Sequence, residues 1–157
     1  MWPFRSPAPP PAAPPLRALS LLPPERARAL GGLPPDAIAG TLPAGAPGPE
    51  QFQPNPGFVA RLHAVIRAAG PQDPSMAAAA RAQGEGWVYI IDLRTPDGPQ
   101  GRVPPEDIIG GFQVSGGAIL PESYWANAAH RVFTVHGLPR LGPFLEAALI
   151  EALAVRP

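Results

Sequence analysis

The sequence predicts an α+β domain: a small, mainly antiparallel sheet with helices before and after it, preceded by a proline- and alanine-rich N-terminal arm. Three observations carry this reading. Sixteen of the 26 prolines fall in residues 1–56, whereas eight of the eleven aromatic residues fall in 57–157. Aromatic side chains bury large areas and anchor cores, so the arm is expected over residues 1–51 and the globular domain over 52–157. The second observation is a pair of well-punctuated helical patterns ahead of a strong strand pattern. The third is an apolar helical stripe at the C-terminal end. Helices, then strands, then a helix is the order of an α+β domain.

Taken in order, residues 1–15 are dominated by Pro and Ala and favour polyproline II, because each proline fixes φ near the extended value. They read as a tether. Residues 16–42 read as two short amphipathic helical segments that dock on the domain or on a partner. Leu16, Leu19, Leu21 and Leu22 supply the apolar side, Pro24-Glu25-Arg26 one start and Pro34–Asp36 a second. Asn55-Pro56 then caps a helix in which Phe58, Leu62, Val65, Ile66 and Ala69 recur at helical spacing up to Gly70. Asp73-Pro74 starts another, ending at Gly84.

Residues 87–94 form the strongest strand pattern, apolar on most of both faces and therefore expected to be central. Thr95–Gly98 is a turn. Pro104–Asp107 reads as one helical turn delivering a second strand over Ile108–Val114, and Ser115-Gly116-Gly117 turns into a third over Ala118–Leu120. Gly110 and Gly111 inside that second strand mark a bulge or a close backbone approach. Arg131–Val135 is expected to be a fourth strand, and Gly142-Pro143 to start the closing helix.

Composition narrows the chemistry. Formal net charge is zero, all twelve basic residues are arginine and they are scattered, so no nucleic-acid partner is expected. Zero cysteines exclude disulfides and thiolate chemistry and suit a cytoplasmic setting. No apolar run reaches the ~18 residues of a membrane span. The lack of lysine and of any Gly-rich run ending in Lys-Ser/Thr excludes a phosphate loop.

The carboxylates Asp92, Glu106, Asp107 and Glu122 lie near element ends, where acids and bases often act. For Glu106 and Asp107 the Pro-Pro start also offers a capping role. Asp92 has Arg94 and Arg131 as possible ion-pair partners. His130 and His136 flank the expected fourth strand at about 20 Å, too far apart for one metal, so neither a metal nor a cofactor is expected. Tyr124 and Trp125, followed by Asn127, form a loop group able to stack on a ligand or anchor an interface, or else to tuck over the sheet edge.

The segments Gly-Trp-Val-Tyr-Ile-Ile-Asp (86–92) and Val-Pro-Pro-Glu-Asp-Ile-Ile-Gly-Gly-Phe-Gln-Val (103–114), with the aromatic and asparagine loop that follows, resemble the C-terminal half of enterotoxin-type ADP-ribosyltransferase domains over residues 86–128. The resemblance implies a sheet in which the two strands lie side by side. That family's catalytic Glu-x-Glu or Gln-x-Glu would fall just before the Pro-Pro element, where this chain has Gln100-Gly101-Arg102. A cation there cannot stabilise an oxocarbenium-like transition state, so no catalytic residue is carried over. The expected function is a non-catalytic binding or assembly module with a protein partner or self-association. The alternative is a degenerate ADP-ribosyltransferase-like enzyme acting on a nucleotide such as NAD. The binding candidates are Tyr124, Trp125, Asn127, Asp92 and Glu106.

Overall fold

In the computed structural model, which describes residues 7, 15–45 and 48–155, two small antiparallel sheets share one set of core helices. The first sheet has the order β1 (Leu16–Ser20), β2 (Ile38–Pro43), β3 (Gln53–Pro54). Helix α1 (Pro24–Ala29) and a 3-10 turn at Pro35–Ala37 lie between β1 and β2. Helices α2 (Pro56–Ala69) and α3 (Pro74–Gln83) lead to the second sheet. There β4 (Gly86–Ile91) pairs with β5 (Ile108–Ser115), whose other edge takes β6 (Ala118–Ile119) and β7 (Trp125–Ala126). Helix α4 (Pro143–Leu153) packs on α2. No helix of the described residues is long and apolar enough to cross a membrane.

The helices form where their punctuation places them. The Asn55 side chain accepts the Gly57 N–H at 3.1 Å, and Asp73 accepts that of Ser75 at 2.9 Å. Each cap is followed by proline at the first helical position. Phe58, Leu62 and Ile66 of α2 meet Leu145, Leu149 and Leu153 of α4 in the core. Burying each such side chain stabilises the fold by about 1.5–3 kcal/mol.

Three expectations need correction. Residues 16–42 do hold the two expected short helical segments, at Pro24–Ala29 and as a 3-10 turn at Pro35–Ala37, but Leu16–Ser20 and Ile38–Pro43 on either side are unexpected paired strands. Leu22, Ala37, Ala39 and Leu42 lie in the common core, and a boundary drawn between Gln51 and Phe52 falls inside the first sheet. The strand of Trp87–Ile91 is an edge strand; β5 is central. Finally, Arg131–Val135 makes no strand, only an isolated bridge between Thr134 and Gly137. The physical reason is that the Arg131 and Val132 carbonyls are taken by the Arg94 guanidinium rather than by a neighbouring strand.

The two sheets are built on the same unit used twice. Pro34-Pro35-Asp36-Ala37-Ile38-Ala39-Gly40 and Pro104-Pro105-Glu106-Asp107-Ile108-Ile109-Gly110 each form a 3-10 turn followed by a strand. Each strand pairs antiparallel with the preceding one, and the register slips just before the last pair, Ser20↔Ile38 and Ile91↔Ile108. Each unit then runs through a Pro-Glu 3-10 turn, an aromatic residue (Phe52, Tyr124), a two-residue strand and an asparagine. Asn55 donates its amide to the Pro35 and Ile38 carbonyls; Asn127 does the same to Pro105 and Ile108. Gly40 lies under the Phe52 ring and Gly110 under the Tyr124 ring, where any side chain would collide.

Candidate functional site

The polar residues expected to bind lie around one end of the second sheet, where Asp92 and Asn127 are engaged within the fold and Glu106 faces outward. Asp92 leaves the end of β4, Asp107 closes the 3-10 turn before β5, and Arg94 reaches between them. The Arg94 Nε donates to Asp107 Oδ1 at 3.0 Å and lies 3.3 Å from Asp92 Oδ2. All three side chains are at most 1 % exposed. The guanidinium also donates to the carbonyls of Val132 at 3.0 Å, Gly137 at 2.7 Å and Arg131. Asp92 accepts the backbone N–H groups of Arg94 and Arg140 and the His130 Nε2 hydrogen at 3.1 Å.

One cation therefore pins the irregular segment 131–140 to the sheet end. Its planar fork suits several acceptors at once, which a lysine could not match. Asp107 Oδ2 is buried without a partner among the described residues. Glu106 points out and lies 3.7 Å from Arg131, both partly exposed. Asn127 is spent on holding β7 to the 3-10 turn.

Adjacent in sequence, Tyr124 and Trp125 are separated by the strand period, which sends neighbours to opposite faces. Tyr124 turns inward. Its ring packs on Phe112 at 5.1 Å between centroids, its hydroxyl meets His63 Nδ1 at 2.6 Å, and the Arg67 guanidinium lies 5.3 Å from its ring centre. Burial pushes the phenol up to about 12, against a small opposing pull from Arg67. The hydroxyl therefore stays protonated, and it shares a 2.6 Å hydrogen bond with His63 Nδ1 whose direction is set by the imidazole tautomer. Burial holds the His63 pKa below its usual value, and the nearby His130 and Arg67 push the same way.

Trp125 turns outward and meets two further rings that sequence reasoning assigned to the core. Trp87 and Tyr89 of β4 stack at 6.5 Å with planes 13° apart, and Tyr89 meets Trp125 edge-on at 6.4 Å. These rings are 38 %, 47 % and 44 % exposed, too much for core residues. Tyr89 pairs across Gly111, and Trp125 pairs with Gly111 from the other side. The two side chains thus rise two strands apart, about 9.5 Å at the backbone, as walls over a floor with no side chain. A Cβ on Gly111 would sit 2.8 Å from the Tyr89 ring. The resulting groove encloses about 250 Å³ and is lined by Trp87, Tyr89 and Trp125.

The duplicated unit offers a comparison inside one chain. Aligning Gly40 with Gly110 puts Leu16 and Ala18 where the second unit has Trp87 and Tyr89, and Gln53 where it has Trp125. The same backbone pairing forms without the rings, so the rings are not what the pairing requires. A second cleft, about 480 Å³, lies beside Phe52, Val59, His130, Val132 and Phe133. Its one buried polar side chain, His130, is already committed to Asp92.

The signal that could have revealed the groove was present: aromatic residues at i and i+2, paired opposite a glycine. No family model, curated protein or solved structure matches this chain.

Proposed function

We propose that this chain is a non-catalytic binding and assembly module that works in the cytoplasm and binds protein through the aromatic groove of its second sheet. The observation that carries the reading is the exposed Trp87–Tyr89–Trp125 group over Gly111, set against its ring-free counterpart in the first unit. Exposed aromatic clusters of this kind are favoured at interfaces, because a rigid ring contributes much area for little ordering entropy. The carboxylates that a nucleotide-acting enzyme would use support the same reading: Asp92 and Asp107 are enclosed with Arg94 and make its ion pairs.

Light scattering coupled to size exclusion tests the proposal over a wide range of protein concentration. The full chain should associate, and the triple variant Trp87→Ala, Tyr89→Ala, Trp125→Ala should stay monomeric with an unchanged unfolding temperature. Association that survives the triple substitution, or a full chain that is monomeric throughout, would overturn the reading.

A further inference from the structure

We propose that the occupant of the aromatic groove is the proline-rich arm of a second copy of this chain, residues 7–15. The inference rests on the groove being a binding face and names what binds there. It begins with the chemistry of the lining. Three rings and a glycine floor carry no charge, so the groove suits an uncharged, apolar ligand and offers nothing to a phosphate or a charged peptide. Its three residues also carry donors, two indole N–H groups and one phenol O–H. A fitting ligand therefore presents apolar rings together with carbonyl acceptors that have no N–H partners of their own.

Proline-rich segments have that character. Proline has no N–H, its ring is apolar, and polyproline II exposes its carbonyls while already holding the bound conformation. Aromatic-lined grooves are the recurrent docking sites for such segments. This chain carries one. Pro7-Ala8-Pro9-Pro10-Pro11-Ala12-Ala13-Pro14-Pro15 contains six prolines in nine residues, and no charged residue lies between Arg5 and Arg17. Neutral groove and neutral segment match.

The arm's exit favours a second copy over its own groove. Pro15 accepts the Ala44 N–H at 2.8 Å, and the chain continues from there into β1, an edge strand of the first sheet. The groove is on the other sheet. No glycine precedes Gly31, and proline runs behave as stiff spacers, a composition that disfavours folding back onto the same molecule. A nine-residue polyproline II ligand spans about 28 Å at about 3.1 Å per residue, ample to cover a groove of three rings. Since donor and groove are different surfaces, the contact is heterologous. It closes as a reciprocal pair or propagates as an open chain.

The test compares three full-length proteins by light scattering: the unaltered chain, the triple-alanine groove variant, and an arm variant with Pro9→Ser, Pro10→Ser and Pro11→Ser. A synthetic peptide of residues 7–15 is then titrated in up to millimolar excess. The arm variant should lose association as completely as the groove variant, with the midpoint concentration raised at least tenfold. The peptide should return the unaltered chain to monomer mass. If the arm variant associates normally while the groove variant does not, the groove remains the interface and the arm is not its occupant. If both variants associate normally, the groove reading itself fails. A compact monomer at every concentration, unaffected by the peptide, would overturn assembly through a second copy.

Discussion

Removing the Arg94 guanidinium should be among the most damaging single changes in the chain. In Arg94→Met, Asp107 loses its 3.0 Å partner and Asp92 its 3.3 Å one, while both carboxylates stay buried. The carbonyls of Arg131, Val132 and Gly137 lose their donor in the same step. Breaking a buried ion pair by removing one partner costs about 3–5 kcal/mol. Set against a total stability of about 5–15 kcal/mol for a domain, that is a large share. Urea unfolding followed by circular dichroism should show the unfolding free energy falling by this amount, read as a lower midpoint at unchanged slope. Arg94→Lys should recover only part, since a single ammonium cannot serve both carboxylates and three carbonyls. Hydrogen exchange should accelerate first at Leu93 and Arg140, whose amides close the ring of contacts around Asp92. A loss below about 1 kcal/mol for Arg94→Met would refute the view that this cation holds segment 131–140.

Other outcomes follow from the same geometry. Gly110→Ala would place a Cβ 2.5 Å from the Trp125 carbonyl, a backbone atom that cannot swing away, so thermal unfolding should report a loss of at least the 1–3 kcal/mol typical of overpacking. Asn55→Ala and Asn127→Ala each remove an amide that bridges two carbonyls. Denaturant titration should give about 1–2 kcal/mol for each, at the upper end of cap losses. His63 has a folded pKa below its unfolded value. Below about pH 6.5 the unfolded chain takes up the proton first, so its contribution to stability is full above that pH and declines as pH falls toward the folded pKa. Comparing the pH dependence of unfolding for the natural chain and His63→Gln should show a shallower acid decline in the variant.

Much of the architecture was legible from local punctuation. Asn55-Pro56, Asp73-Pro74 and Gly142-Pro143 each start a helix in the structure. Ser115-Gly116-Gly117 sits at the turn between β5 and β6, with both glycines at positive φ. What failed, failed because pairing is non-local. Leu16–Ser20 has no strong strand alternation and becomes a strand only through Ile38–Pro43. The motif Pro-Pro-acid-x-Ile-x-Gly at 34–40 and again at 104–110 would have given both sheets at once. The apolar character of both faces of Trp87–Ile91 pointed to a central strand; the outer face is instead apolar without being covered. At the site, Asp92 and Glu106 were legible near element ends and Asn127 in the aromatic loop, but their contacts with Arg94, Arg131 and backbone carbonyls depend on folding the chain. Tyr124 and Trp125 read as one loop pair, but only Trp125 is exposed, while Tyr124 turns into the core. The partners of Trp125, Trp87 and Tyr89, come from a strand remote in sequence, and only the Gly111 register brings the three together.

The central claim is that these three rings are a contact surface, and hydroxyl-radical footprinting read by mass spectrometry tests it most directly. Trp87, Tyr89 and Trp125 should label readily in the dilute full chain and become protected together as concentration rises. Exposed Phe144 and Val135, away from the groove, should label equally throughout. Labelling of the three rings that stays constant across the concentration range would contradict the account.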